Sequence, residues 1–428
     1  MSSDVTKMPD DLVSKYQRQL LDQAQQTYQD TPISEATVRA FLATPRHLFV
    51  RHYRERASKE WRDVNASNLT EHLATLYADN PLTLFGDDDN NVPSTISQPS
   101  FVLRMLDLLQ VRPGHAVLEL GAGSGWNAAL IGRLVGPSGR VVTLEIIPEV
   151  AARAAATIAE LDITNVHVVS ADGGDGYAER APYDRIIFTA GTYDLPRPLY
   201  DQIRPGGLML VVIKDAGGGD NLFLLEKVDD HFESRYAMPC GFVQLTGKYK
   251  VDTLDPGPVE ALPQWSALKE MEVGRRAFWW GGKGREWFMW QTAGIRSFLG
   301  VTEPSFRVFK TAKTDGAARE HHYWGLWDAD SASLVLARND ELISYGNAKA
   351  TERLLRLIHR WVDLGMPTAS SFGVRVFRGD RPVTARDDQW IVKRRESQFV
   401  WSALPGQFAD DVPQTSLGIG TRNTGGHS

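Results

Sequence analysis

The chain has 428 residues, 42% hydrophobic and 23% charged, with a formal net charge of −6; this ordinary globular balance excludes a disordered or fibrous chain and supplies core material for two domains. The single cysteine, Cys240, excludes an internal disulfide and fits a reducing, cytoplasmic compartment; no apolar run approaches membrane-spanning length, and the first residues lack the apolar core of a secretory signal. Charge is uneven, with 25 Lys and Arg against 21 Asp and Glu in residues 245–428, so that residues 1–244 carry −10, which argues against nucleic acid or a membrane as partner of the first half.

In chain order, residues 9–28 and 34–43 read as helices, the second stopping before Pro45. Residues 55–80 are polar and mixed, and predict a helix with a loop. The acidic, turn-rich run GDDDNNVPSTISQPS gives way at Pro99 to a helix with Val102, Met105, Leu106 and Leu109 on one face. A strict alternation follows: strand 116–120, helix 125–135, strand 140–145, helix 148–161, strands 166–170 and 184–189, helix 196–203 and strand 207–213. Short apolar strands separated by amphipathic helices predict a parallel sheet covered on both faces, with ligands at the carboxyl ends of its strands. Residues 221–238 read as a terminal hairpin, and PCGFVQLTGKYK leads out of a first domain ending at 244. The rest predicts helices at 284–299 and 347–362, strands near 306–311, 322–327, 332–337 and 371–377 and two late strands around 389–401, an α+β domain over 245–406. Residues 407–428, rich in Gly, Thr, Ser and Asn, read as a disordered tail.

The chemistry centres on VLELGAGSGWN at 117–127, where glycines at 121, 123 and 125 open a helix directly after a strand. Only glycine turns a backbone that tightly and lets a ligand approach it closely. Three acidic residues stand where a nucleoside needs them: Glu119 before the glycines, Glu145 at the end of the second strand to meet ribose hydroxyls, and Asp172 after the third to meet an adenine amino group. The spacing Gly-x-Gly-x-Gly, in place of the Gly-x-Gly-x-x-Gly of dinucleotide folds, favours S-adenosylmethionine, which has no pyrophosphate to cradle.

The stretches PRHLFV (45–50), TISQP (95–99), VLELGAGSGWNAA (117–129), NVHVVSADGGDG (165–176), APYDRIIFTAG (181–191) and PLYDQIRPGG (198–207) occur in an order that resembles the protein-L-isoaspartate (D-aspartate) O-methyltransferases over residues 8–240. The resemblance implies a Rossmann-like class I methyltransferase, α/β, with helical N-terminal additions and the C-terminal α+β domain. It implies an aspartyl-type carboxylate as methyl acceptor and places Thr95, Ile96 and Ser97 over it, with Thr95 and Ser97 as the catalytic pair. The candidate cofactor set is Glu119, Gly121, Gly123, Ser124, Gly125, Glu145, Ile146, Asp172 and Gly173, with no metal. An aspartyl carboxylate is ionised at neutral pH, so its methylation needs alignment and removal of water, and no general base. Departures from the family gather on the acceptor side: Pro93-Ser94 where Gly-Gln is usual, Trp126-Asn127 where Tyr-Gln is common, and Ala190-Gly191 where two alanines are expected.

The added C-terminal part carries ten of the twelve tryptophans, from Trp265 onward, including Trp279, Trp280, Trp287, Trp290, Trp324 and Trp327. They fill the interior of that domain, with some available for a peptide groove. Helix 347–362 sets Leu354, Leu355, Ile358, Trp361 and Val362 on one face and Arg353, Arg356 and Arg360 toward the other. This architecture is similar to that of the extended subgroup associated with ribosomally made, modified peptides (lanthipeptides, lasso peptides, graspetides). That similarity implies a modified precursor peptide as partner, methylated on one aspartate and passing through its ester to aspartimide or isoaspartate. Two alternatives stand beside it: a repair enzyme for damaged isoaspartyl proteins, and a peptide-binding module on a vestigial fold. Nothing in the pattern fixes an oligomeric state.

Overall fold

The structure, a computed structural model, describes residues 10–28, 31–56, 58–86, 94–251, 256–277, 285–310, 322–338, 341–368, 371–387 and 389–403. The acidic loop through Pro93, Trp279, Trp280 and the tail at 407–428 lie outside these residues, as do the side chains of Trp287 and Trp290. The described residues fall into two compact units, one drawn from 1–212, 223–232 and 242–250, the other from 213–222, 233–241 and 251–428.

The first unit begins with α1 (Asp10–Thr27) and α2 (Glu35–Leu42). Ser34 caps α2 through its Oγ, which accepts from Thr37 N, and Asp107 takes the hydroxyls of Ser34 at 2.7 Å and Thr37 at 2.5 Å. Where the sequence predicts a helix with a loop, α3 (Leu69–Leu76) is the helix, and the chain adds the short strands β1 (His52–Glu55), β2 (Arg62–Asp63) and β3 (Leu82–Phe85). With β4 (Ser94–Ile96) these strands make a sheet in the order β2-β1-β3-β4. Such strands of two to four residues are too short to show alternation in a sequence. β4 pairs antiparallel with β3, setting Thr95 opposite Thr83 and Ile96 opposite Leu82.

Next comes α4 (Pro99–Leu109), with proline at its first turn and the amide of Ser100 held by Asp79. The alternating series follows as β5 (Ala116–Leu120), α5 (Trp126–Val135), β6 (Arg140–Glu145), α6 (Pro148–Glu160), β7 (Val166–Ser170), β8 (Tyr183–Thr192), α7 (Leu199–Gln202), β9 (Ile203–Lys214), β10 (Asp220–Val228) and β11 (His231–Cys240). Within the first unit the strand order is β10-β9-β8-β5-β6-β7. β5 is fully buried and lies parallel to β6 on one side and β8 on the other. The chain therefore changes direction of travel across the sheet at β5, and a crevice opens at its carboxyl end, where the glycines are.

In the second unit, β12 (Gly257–Pro258), α8 (Trp265–Leu268), β13 (Glu272–Ala277), α9 (Arg285–Thr302), β14 (Phe306–Lys310), β15 (His322–Asp328), β16 (Ser333–Arg338) and β17 (Glu341–Tyr345) build a sheet ordered β12-β14-β15-β16-β17-β13. β13 and β17 are strands that sequence reading passes over. After α10 (Lys349–Asp363) come β18 (Phe372–Arg378), β19 (Gln389–Lys393) and β20 (Ser397–Ala403), paired in the order β19-β20-β18.

The unit has its own core of Val259, Leu268, Phe309, Leu334, Leu336, Ile343 and Tyr345, against which Trp265 and Trp327 pack. Trp324, Trp361 and Trp401 are buried, and Trp390 meets Phe298 and Phe372 edge-on. In this unit, then, Trp324, Trp361 and Trp401 are interior, and Trp265, Trp327 and Trp390 are half-buried at its edge. On α10, Leu354, Ile358 and Trp361 are buried as the periodicity predicts; Arg353 is paired with Glu303 at 2.8 Å and Arg360 stacks on Trp390. Among the described residues no helix is long and apolar enough to cross a membrane.

Candidate active site

The crevice at the carboxyl end of β5 is a cavity enclosing roughly 920 Å³ of space, counted out to bulk solvent. Its wall brings together Thr95 and Ser97 with Glu119, Gly121, Gly123, Ser124, Glu145, Ile146 and Gly173. Gly125 and Asp172 do not reach it. Gly125 holds the first turn of α5 at φ +84°, with Ala154 against it. Asp172 caps the short helical turn at 173–175 through the amide of Gly174, and its other oxygen accepts from the amide of Lys248 at 2.9 Å.

The glycine turn is tied into the sheet by its own amides. Gly121 and Ala122 donate to the carbonyl of Leu144, Gly123 to Glu145 Oε2 at 2.9 Å, and Gly125 to the carbonyl of Ala122. Unlike a phosphate loop, the turn therefore keeps these N–H groups for itself. Gly121 has φ +101°, and a Cβ there would lie 2.3 Å from Thr189 Oγ1, a hydroxyl that itself donates to the carbonyls of Leu120 and Gly121. Thr189, on β8, is a wall residue that the sequence marks only as part of IIFTAG.

Glu145 accepts from the amides of Gly123 and Ile147, which fixes its carboxylate at the rim. Glu119 is completely buried beneath the turn. Its oxygens accept from Asn127 Nδ2 and Thr143 Oγ1, both at 2.6 Å. Burial pushes its carboxyl up to about 7 against the pull of those two hydrogen bonds, and the nearby Glu145 adds to the rise.

The acceptor side is organised by Arg46, of the PRHLFV stretch, which is wholly buried. Its guanidinium donates to the carbonyls of Leu76, Ala78, Asn80 and Ser97 and lies 5.6 Å over the ring of Trp126. Burial lowers its pKa to about 9, with Tyr77 and Asp79 opposing the fall. An arginine inside a mainly apolar stretch is the one sequence signal that could have singled it out. Trp126 in turn donates from Nε1 to the carbonyl of Thr44.

The remaining wall, Phe242, Val243, Gln244, Leu245 and Thr246, comes from the stretch that reads as an exit from the domain. Gly191 N donates to Val243 O and Leu245 N to Gly191 O, both at 2.7 Å, which holds this segment along the end of β8. Farther along, Gly247 at φ +85° packs against Asp172 and Ile146, where a Cβ would lie 2.2 Å from the carboxylate.

Two polar atoms at this wall, Ser94 Oγ and Asn127 Oδ1, are buried and have no hydrogen-bond partner. Glycines that leave room beside them, a carboxylate at the end of the second strand and unsatisfied buried oxygens together fit a nucleoside bearing a polar chain.

The profile of the family described as Protein-L-isoaspartate(D-aspartate) O-methyltransferase matches residues 16–250. The chain belongs to this family. It is similar to the protein-L-isoaspartate O-methyltransferase of Hyperthermus butylicus, 38% identical over 224 residues that make up 50% of this chain and 83% of that one. It is similar also to that of Methanopyrus kandleri, 39% identical over 218 residues, 50% of this chain and 85% of the other. A solved structure named protein-L-isoaspartate O-methyltransferase aligns over 84% of this chain and 96% of its own, with a TM-score of 0.50 and 22% identity, a likeness of fold. As a member of this methyltransferase family the chain is an S-adenosylmethionine-dependent protein carboxyl O-methyltransferase. In this methyltransferase, Glu145, Ile146, Gly173 and residues 121–124 of the glycine turn line the cavity.

Proposed function

We propose that this enzyme methylates the free carboxylate of an isoaspartyl residue in a polypeptide, holding that carboxylate with Thr95 and Ser97. The observation that carries this reading is the composition of the wall: among the described residues its only titratable side chains are Glu119 and Glu145, and both are engaged by hydrogen bonds from the protein. A phenol, alcohol or amine acceptor would need a base to take its proton, whereas a carboxylate arrives deprotonated. Bound S-adenosylmethionine supplies a methyl group on a positively charged sulfur, which departs as a neutral thioether when an acceptor oxygen takes the methyl. Thr95 and Ser97 donate hydrogen bonds to the carboxylate without protonating it. The apolar wall residues Ile96, Val102, Met105, Phe242 and Leu245 exclude water from a weak nucleophile. The names of the relatives support isoaspartate as the acceptor, and the solved structure of that name shares its fold across most of this chain, extension included. The lone Cys240 accords with work in the reducing cytoplasm.

A second reading is favoured by the part of the second unit that follows residue 250 and by Ser94 beside Thr95: methylation of one normal aspartate in a ribosomally made, modified peptide, ending in aspartimide or isoaspartate, with the second unit recruiting that peptide. One assay separates the readings. The full chain is given labelled cofactor and two otherwise identical linear peptides, one isoaspartyl and one aspartyl. Methylation of the isoaspartyl peptide alone is expected. Silence on both, with transfer to a constrained aspartyl peptide, overturns the first reading in favour of the second.

A further inference from the structure

The small sheet that ends in the Thr-Ile-Ser strand also carries a cation with nothing to neutralise it. Arg54, on β1, is 4% exposed, and its guanidinium lies 5.1 Å over the ring of Trp61, which also stacks on His52 at 4.6 Å. Among the described residues Arg54 makes no hydrogen bond and no ion pair. Its neighbours are engaged: Arg51 with Glu160 at 2.9 Å, Arg62 with Glu55 and Glu60 at 3.7 Å, and the Asp63 carboxylate with His52 Nδ1 at 2.6 Å. A guanidinium cannot shed its charge at ordinary pH, and shielding it from water without an anion is costly. The contact with the Trp61 ring recovers only part of that cost. The missing complement is an anion from outside the protein.

Strand register says where that anion comes from. Arg54 stands directly opposite Thr83 on β3, and Thr83 directly opposite Thr95 on β4. Residues directly opposite on antiparallel strands put their side chains on one face, about 5 Å apart at Cβ, so Arg54 and Thr95 share a face with their Cβ atoms about 10 Å apart. The other face holds Tyr53, Leu82 and Ile96, all buried in the core, so the row from Arg54 to Thr95 lies on the side turned away from that core. An extended chain advances about 3.3 Å per residue, so a polypeptide whose acceptor carboxylate is held at Thr95 passes Arg54 about three residues away.

We propose that Arg54 is a specificity-determining residue, which binds the side-chain carboxylate of an Asp or Glu about two to four residues from the methylated residue of the polypeptide. This rests on the isoaspartyl reading above and adds to it a preferred sequence context. Trp61 and His52 hold the guanidinium in place. Arg54 touches the polypeptide and none of the reacting atoms, so it acts on KM and leaves kcat unchanged.

The test uses the full chain and a set of isoaspartyl peptides, acetylated and amidated so that no terminal carboxylate competes. The parent peptide is otherwise neutral; in each of the others a single Glu, or a Gln in its place, stands two, three or four residues before or after the isoaspartyl residue. With the wild type, Glu at one or two of these positions is expected to raise kcat/KM roughly ten-fold over Gln, through KM. Arg54→Met is expected to bring that ratio to within about two-fold of one while its kcat/KM for the parent peptide stays within about two-fold of wild type. Where Arg54→Met does not fold, Arg54→Gln takes its place with the same expectation. A wild type that turns over the parent and shows no preference for Glu at any position would overturn the role of Arg54 alone, as would a variant that keeps the preference or loses the same factor on every peptide. No turnover of any peptide would overturn the isoaspartyl reading, and the role of Arg54 with it.

Discussion

Two short segments meet at one cavity and are held there in opposite ways. The turn at 121–125 is fastened by its own amides to the strand beside it, through the carbonyl of Leu144 and the carboxylate of Glu145. The strand β4 has three residues, pairs along one side with β3, and depends on a single distant side chain, Arg46, for the carbonyl of Ser97. The segment proposed to hold the cofactor is thus local in sequence and redundant in its bonds, whereas the segment proposed to hold the acceptor relies on one neighbouring strand and on a residue about fifty positions away. Chemistry common to a fold can be written into a turn. The choice of acceptor rests on tertiary contacts, where one substitution has large effects.

Breaking the acceptor half at its support should give the largest effect. Arg46→Ala leaves the carbonyls of Leu76, Ala78, Asn80 and Ser97 without their donor and opens a hole beside Trp126. A stability loss of about 4 kcal/mol or more is expected, read from denaturant midpoints followed by tryptophan fluorescence. A loss below about 1 kcal/mol would show that β4 is anchored by other means.

Glu119 probes the cofactor half through pH. The folded protein keeps its proton up to about 7, while the unfolded chain releases it near the ordinary 4.5. Its contribution to stability is therefore full below 4.5 and is lost as pH rises through 7, amounting to about 3 kcal/mol over that window. Glu119→Gln removes the titration, so its stability relative to wild type should improve by about 3 kcal/mol between pH 5 and pH 8. A difference that stays constant with pH would mean that Glu119 is ionised throughout.

Gly121→Ala puts a methyl 2.3 Å from Thr189 Oγ1 at a φ of +101°. Strain of about 1–3 kcal/mol is expected, together with at least roughly ten-fold weaker binding of S-adenosylhomocysteine by calorimetry. Unchanged affinity would show that the turn does not approach the cofactor closely.

The same contrast explains what could be read from the sequence. β5, β6 and β7 fall where alternation and apolar runs put them, and the parallel sheet with its ligand crevice follows from their order. Glu119, Glu145, Gly121 and Gly123 could be placed at the wall because strand ends and the turn are sequence-local. Thr189, Ser94 and the wall at 242–246, and Arg46 behind it, could not, since each is brought there by folding back from a distance and carries no period of its own. Asp172 shows the converse: its position after the third strand is as expected, yet its carboxylate is taken by the amides of Gly174 and Lys248. In the second unit, of the described tryptophans marked as candidates for a groove, Trp324 is buried while Trp265 and Trp327 pack half-buried against the core, since a unit with its own sheet must first fill its own core.

The division of the cavity is tested most directly on one preparation of Ser97→Ala, by measuring its dissociation constant for S-adenosylhomocysteine and its kcat/KM for an isoaspartyl peptide. The account predicts that cofactor affinity stays within about two-fold of wild type while kcat/KM falls by roughly ten-fold or more, the loss of one hydrogen bond to the acceptor carboxylate. Equal losses in both, or an unchanged kcat/KM, would contradict it.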